Sequence, residues 1–428
     1  MSSKNVDRLS VLPEEIASHI LSSMPTKDAV QTSILSKSWR YKWRLVTNLD
    51  FDDDTFHDKN ILIKFGDWVM NVCKSSHIQL FRLHFSKRWT LKSRVSNWID
   101  KAVRLNVREL DIEVTSLSLK LPLSMFTCKT LTKLRLDFGD YLQSFLTDLP
   151  LVYLPCLKSL DISVYTDHYI NAFYKLINGC PMLENLSLHI MCKGNTENYI
   201  FNIPSLKRLK LKWPHHTSVI NKVFLNVPNL EYLFIGGMLC SVFVMEDLSS
   251  LVEASVSFRE IIFNRHRLLV ELLNGLSGVK SLFVQNVSFL FTSPLPIFPN
   301  MKHLKLKNFQ HSRSILQFLE SCPELKHLYI EEKLIHTWVE PKSVPACMLT
   351  NLTTIKISIC KLWKRDMLFL KYMLKNSAVL KNITITCRES RNVEEETWFC
   401  ANLRKLPKAL KHCEIHFHGK YWSHSTIS

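Results

Sequence analysis

The amino-acid sequence predicts an α/β chain in which a short helical head precedes a long array of strand-plus-helix repeats. Three observations carry this reading. One apolar phrase recurs along most of the 428 residues. The first 50 residues lack it and read as three short helices. A chain of this length is also too long for one ordinary compact domain unless it is built from repeats.

The phrase has the form Leu-x-x-Leu-x-Leu, often after proline. Copies include KTLTKLRL, LPCLKSLDI, CPMLENLSL, IPSLKRLKL, VPNLEYLFI, FPNMKHLKL and CPELKHLYI. The first apolar anchors fall at Leu80, Val107, Leu131, Leu157, Leu183, Leu206, Leu230, Leu251, Val279, Met301, Leu325, Leu352 and Leu380. Their spacing centres on about 25 residues, the period of leucine-rich repeats. In LKRLKL, Leu209 and Leu211 are two apart and share one strand face, while Leu206 turns into the same core. Each strand is too short to fold alone, and stacking the units buries a continuous seam, which predicts a curved solenoid.

Between the strands, NAFYKLINGCPMLE and SILQFLESCPELK read as helices. In the second, Ile315, Leu316, Phe318 and Leu319 form the buried side, and Pro323 stops the helix. Cys180 and Cys322 precede proline at one place in the unit and read as small buried space-fillers. The asparagine that many leucine-rich repeats place after the strand is mostly missing. The array is therefore expected to be irregular.

The head follows different rules. Pro13 suits a first helical position, and Glu14 and Glu15 suit the positive end of the helix dipole. Ile16, Ile20 and Leu21 make an apolar stripe that Pro25 ends. Thr26 is placed to cap a second helix, with Ala29, Val30 and Ile34 inward, and Ser36 to cap a third. On that third helix Trp39 and Trp43 are i and i+4, so the two indoles share one face. Base stacking would need the rings exposed. Two tryptophans at helical spacing serve instead as core or interface anchors.

These residues carry a resemblance. LPEEIASHILSSMPTKDAVQTSILSKSWRYKW resembles an F-box of the plant style. The resemblance implies binding to a Skp-type adaptor, which joins F-box proteins to a cullin–RING ubiquitin ligase. The residues implied at that contact are Leu12, Pro13, Ile16, Ile20, Leu21, Val30, Leu35, Ser36 and Trp39. Ala17 and Ser18 are less apolar than the family usually shows, Ser38 stands where Arg is common, and Lys42 where Leu is common. Near the other end, WVEPKSVPACMLTNLTTIKI and LKYMLKNSAVLKNITI resemble the FBD module of plant F-box proteins, through Trp338, Pro341, Pro345, Cys347, Leu349, Tyr372, Leu374, Asn376 and Leu380. KLWKRD replaces the turn often seen between its halves. The expected organisation is an F-box over 1–50, repeats over 51–335, an FBD-like module over 336–390 and a strand or tail over 391–428.

The chemistry motifs of enzymes are absent from the sequence: there is no GxGxxG, Walker A, GxSxG or HExxH. Nine glycines in 428 residues also argue against a phosphate-cradling loop. His412, Cys413, His416 and His418 form the densest metal-type cluster, but Cys413 alternates poorly with the histidines, so a polar strand face is expected and no metal or cofactor. NRHR at 264–267 reads as an exposed basic loop, and KRWTLKSR at 87–94 is too weak for an import signal. Twelve scattered cysteines without a CxxC pair, no signal peptide and no membrane-length apolar run lead to an expectation of reduced thiols in the nucleus, the cytoplasm or both.

The formal net charge is +17. It permits an acidic protein, a nucleic acid or an anionic ligand as partner. Residues between the strand leucines should line the concave face: Arg208, Lys210 and Lys212; Tyr232 and Phe234; Phe283; His303, Lys305 and Lys307; His327 and Tyr329. These suit an acidic or phosphorylated target segment, against the alternative of scattered solvated lysines. The expected function is a non-catalytic substrate receptor of a Skp–cullin–F-box ubiquitin ligase. The alternative is a basic solenoid that binds nucleic acid or an anionic ligand.

Overall fold

A computed structural model describes residues 9, 11–87, 92–114, 121–137, 151–191, 198–213, 220–259, 266–286, 293–309, 311–331, 338, 340–341, 343–359, 364–387, 389–390, 392–407, 409, 413–421 and 425–427. His412, Asn264, Arg265, residues 88–91 and residues 361–363 of the stretches singled out above lie outside them. The chain divides into two compact units, Met1–Lys193 and Gly194–Ser428.

The first unit holds six parallel strands in sequence order: β1 (Asn48–Asp52), β2 (Leu80–Phe85), β3 (Glu109–Val114), β4 (Lys133–Asp137), β5 (Ser159–Tyr165) and β6 (Asn185–Met191). Helices Lys59–Val72, Lys92–Arg104 and Thr166–Asn178 connect some of them. Parallel strands need such crossovers. Phe51 centres an aromatic cluster, with ring centroids 5.8 Å from Phe81, 5.6 Å from Trp98 and 6.1 Å from Phe65.

The second unit begins with β7 (Tyr199–Asn202), β8 (Arg208–Trp213), β9 (Asn221–Asn226), β10 (Tyr232–Gly237), β11 (Ser241–Asp247) and β12 (Glu253–Phe258). It continues with β13 (Ser281–Gln285), β14 (His303–Lys307), β15 (His327–Glu331), β16 (Thr354–Ile359), β17 (Asn382–Cys387), β18 (Glu414–His418) and β19 (Ser425–Ile427). Strands β8, β10 and β12 to β18 pair in parallel, and β19 closes the row antiparallel to β18.

The anchor pattern holds with one correction. Every anchor from Val107 to Leu380 is buried, but Leu80 is only half-buried and Ile78 takes its place. The true phrase there is Ile78-x-x-Phe81-x-Leu83, the same spacing as Leu206, Leu209 and Leu211. Val46, Leu49 and Phe51 repeat it once more, so the sheet starts at β1.

The expected strand-plus-helix unit is a second correction. Strands β7, β9 and β11 form a separate parallel sheet in the order β11-β9-β7. In β9, Asn221, Val223 and Leu225 are buried while Lys222 and Asn226 are exposed. That two-residue period favours a strand over a helix. Elsewhere the helical connection forms as expected: helix Ser312–Ser321 buries Ile315, Leu316, Phe318 and Leu319 and ends before Pro323.

In the FBD-like part, the Trp338 ring lies 5.4 Å from Tyr372 and 5.7 Å from Phe369. The Tyr372 hydroxyl donates to Ser343 O at 3.4 Å, and burial pushes its pKa up to about 12. Asn376 Nδ2 donates to Tyr372 O at 2.9 Å, Leu374 and Leu380 are buried, and Leu349 is exposed. In the last helix, Val393–Arg404, Asn392 caps by accepting from Glu395 N at 2.8 Å. The fully buried Glu396 carboxylate accepts from Lys420 N at 2.8 Å and Tyr421 N at 3.2 Å, and from the Ser390 hydroxyl. A Cβ on Gly419 would overlap that carboxylate, so a larger residue there has to push the Glu396 side chain away from its hydrogen bonds.

Candidate binding surfaces

The head forms two α-helices, Glu14–Ser22 and Thr26–Gln31, followed by 3-10 turns at Thr32–Ile34 and Lys42–Leu45. The expected third α-helix is absent. Ser36 Oγ accepts from Trp39 N at 3.4 Å, the contact expected of a cap, and lies 3.1 Å from Ser38 Oγ, but the backbone after it forms turns until the 3-10 segment Lys42–Leu45. Pro13 sits one place before the first helix, and Pro25 rather than Thr26 holds the start position of the second. Thr26 is buried and its hydroxyl accepts from Asp50 N at 2.6 Å. With Ser18 Oγ donating to Leu45 O at 2.8 Å and Asn48 Nδ2 to Ser22 O at 2.8 Å, it ties the head to β1.

The two indoles are core anchors of the fold, including Trp39, which the resemblance implied at the adaptor contact. Trp39 is 4% and Trp43 2% exposed, and their own chain does the covering. Trp43 lies against Trp68 with centroids 4.8 Å apart. Lys42, the unusual residue for an F-box, sits over the Trp39 ring at 5.1 Å and donates to Leu12 O at 3.1 Å, so it holds the entry to the first helix.

What the head leaves in water is mainly aliphatic. Ile34, expected to face inward, is 85% exposed, Leu35 62% and Ile16 50%; Ile20, Val11, Leu9, Pro13 and the aromatic Tyr41 are exposed too. Ile16 and Ile20 are i and i+4 and share one helix face. Leu12, Val30 and Ser36 are partly exposed, while Leu21 and Trp39 are buried.

The open strand faces of the two units differ in charge. In the first unit, strand pairing aligns Asp50, Arg82, Asp111, Arg135 and Asp161 across five strands. Arg82 reaches Asp50 at 3.4 Å and Asp111 at 3.2 Å; Arg135 reaches Asp111 and Glu113, both at 2.9 Å. Burial lowers the Arg135 pKa, but the hydrogen bonds to Asp111 and Glu113 outweigh it and raise the value. Burial raises Asp50, with Arg82 opposing. The cations of this ladder are thus committed to neighbouring carboxylates. No single repeat contains the ladder; it becomes legible only when the polar strand positions are read down a column.

In the second unit the cations sit on aromatic rings. Arg208 lies over Tyr232 at 4.4 Å, Lys212 over Phe234 at 5.7 Å, Lys305 over Phe283 at 5.4 Å and Lys356 over Tyr329 at 5.6 Å. Such contacts are worth about 0.5–1 kcal/mol each at exposed sites. Lys305 also pairs with Glu331 at 2.8 Å. His303 and His327 stack at 4.7 Å. Strand register places Lys210 beside Phe234 and Lys307 beside Gln285. These side chains therefore share one strand face of the second unit, and Lys356, not singled out in the sequence, joins them.

Metal-type groupings are weak. His416 and His418 share a strand face and His416 pairs with Glu414 at 3.2 Å, while Cys413 is buried. Asp52, Asp54 and His84 come within mutual reach at the surface and carry no further sign of a ligand. The ten cysteines among the described residues are all free.

Comparison with known sequences fits this architecture. The F-box domain profile matches residues 9–50, the profile "FBD-associated F-box protein At5g56370, LRR repeats" residues 95–243, and the FBD profile residues 340–385. These define a repeat protein with an F-box head and an FBD module. The chain belongs to the plant F-box/FBD/LRR-repeat family. Among its relatives in Arabidopsis thaliana, the F-box/LRR-repeat protein At4g14103 is 33% identical over 77% of this chain and 92% of its own. The putative F-box/FBD/LRR-repeat protein At4g13965 is 30% identical over 96% of this chain and 97% of its own.

Proposed function

We propose that the chain is the substrate-recognition subunit of a Skp–cullin–F-box E3 ubiquitin ligase and has no active site of its own. The observation that carries the reading is the exposed aliphatic surface of a head that otherwise packs tightly. Ile16, Ile20, Ile34 and Leu35 fall within 20 residues and stay in water. Exposed apolar surface of this density marks an interaction site. The docking residues are Ile16, Ile20, Ile34, Leu35 and Pro13, with Leu12, Val30 and Ser36 at their margin; Trp39 and Leu21 support them from inside. The repeats, read as a curved solenoid, hold a target protein. Tethering both partners on one chain raises the effective concentration of target lysines at the ligase. Residence in the nucleus, the cytoplasm or both follows from that role.

Co-expression with a Skp-type adaptor tests this. The expected result is a one-to-one complex on size-exclusion chromatography, with aggregation when the chain is expressed alone. A chain that elutes by itself in the presence of excess adaptor contradicts the proposal.

A further inference from the structure

We propose that the open face of the second unit binds an extended acidic protein segment carrying two clusters of carboxylates about six positions apart. The inference rests on the receptor reading and adds the chemistry of the target.

Two cation–aromatic clusters stand on this face. One comprises Arg208, Lys210 and Lys212 with Tyr232 and Phe234, on β8 and β10. The other comprises Lys305 and Lys356 with Phe283 and Tyr329, on β13 to β16. Between them lie the exposed Glu253 and a polar floor of Ser257, Ser281 and Gln285 beside the buried Ser255, in which Ser257 Oγ donates to Gln285 Oε1 at 3.0 Å. The hydroxyls and the amide of this floor offer hydrogen bonds to a peptide backbone, and Glu253 disfavours a carboxylate between the two clusters.

The spacing sets the ligand. Lys210 and Lys305 lie in one row, four strand steps apart through Phe234, Ser255 and Phe283. At about 4.8 Å per strand that is roughly 19 Å, and an extended chain advances roughly 3.3 Å per residue. Carboxylates about six positions apart therefore meet both clusters.

Charge sign decides where such a segment goes. Across β8 to β16 the open-face rows set Arg208, Lys210, Lys212, Lys305, Lys307 and Lys356 against the carboxylates of Glu253 and Glu331 only. The first unit's face has the opposite balance, and its Arg82 and Arg135 are each shared between at least two carboxylates, whereas among the described residues Lys305 pairs with Glu331 alone. A nucleic acid fits less well. The ring faces it would stack on already carry cations, and Glu253 and Glu331 interrupt a continuous phosphate track.

The test uses the full chain, co-purified with adaptor, and fluorescence anisotropy. The probe is a labelled peptide with two pairs of glutamates separated by five Gly/Ser residues. The proposal expects binding that weakens at least tenfold when the glutamates become glutamines. Lys210→Glu and Lys305→Glu should each weaken it about tenfold, while Lys133→Glu, on the first unit's face, should leave it unchanged. Equal binding of the glutamine peptide, indifference to both substitutions, or tighter binding of a single-stranded RNA of equal charge would overturn it. Adaptor capture is read separately on the same sample, so loss of peptide binding with the adaptor still bound defeats this inference and leaves the receptor reading standing.

Discussion

Asn308 donates its side-chain amide to Asn286 Oδ1 at 2.7 Å, linking the ends of two adjacent strands. Asn286 in turn donates to Phe258 O at 2.5 Å. Both residues have positive φ, 62° and 56°, a conformation that asparagine tolerates better than most residues. Although asparagine is scarce at this place in the repeat, two neighbouring units keep it and build a short ladder. Asn286→Ala should cost about 2 kcal/mol, from the left-handed backbone and the lost hydrogen bonds. Asn286→Gly should cost less, because glycine accepts the backbone. Urea midpoints compare them; equal losses contradict this account of the φ angle.

His327 gives the second unit a pH dependence. Burial, then the neighbouring His303, Lys326 and Lys356, lower its pKa below the ordinary imidazole value of 6.5. The folded state thus binds fewer protons than the unfolded one between those two values. Stability is full above pH 6.5 and falls as pH drops through it. Between pH 7.5 and 5.5 the melting temperature of the wild-type chain should fall further than that of His327→Gln. Parallel curves contradict the assignment.

The two Cys-Pro cysteines, Cys180 and Cys322, and Cys347 beside Cys322 are predicted to be inert. Burial pushes the Cys180 thiol up to about 12, and Cys347 likewise to about 12. Cys322 is raised by burial and by the adjacent Cys347. Cys347 Sγ donates to Leu319 O at 3.3 Å and Cys180 Sγ to Leu176 O at 3.1 Å. A brief iodoacetamide pulse at pH 8 should alkylate the exposed Cys156 and spare these three. Mass spectrometry of the digested protein reads the result; rapid alkylation of Cys180 or Cys322 in the native chain contradicts it.

Glu396 should fix the end of the chain. Glu396→Ala strips the backbone N–H groups of Lys420 and Tyr421 of their acceptor and should cost about 2 kcal/mol or more. Gly419→Ala should also destabilise, through overlap with the same carboxylate. Limited proteolysis should then cut near residue 420 sooner than in the wild type. Unchanged proteolysis in both variants contradicts the latch.

Sequence reasoning reached what is periodic and local. Leu206, Leu209 and Leu211 announce a strand face by spacing alone, and the helix over Ile315 to Leu319 by its apolar side. It slipped at Leu80, where IQLFRL offers two apolar anchors two residues apart and only packing chooses Ile78. It missed β7, β9 and β11, the short strands between the leucine-rich ones, and with them the second sheet. The third head helix is a run of turns although Ser36 makes the expected capping contact with Trp39 N, so a cap and a helical spacing of tryptophans were not enough to specify it. At the binding faces the side chains were legible but their partners were not. Arg82 and Asp111 are 29 residues apart and meet only through strand register.

The most direct measurement concerns the exposed head. Adaptor affinity is measured by calorimetry for the wild-type chain, for Ile34→Asp with Leu35→Asp, and for Lys64→Asp as a control outside the head. All three should show the same melting profile. The account predicts at least a hundredfold weaker binding for the double variant and no change for the control. Full adaptor affinity in the folded double variant would contradict the claim that this aliphatic surface is where the ligase attaches.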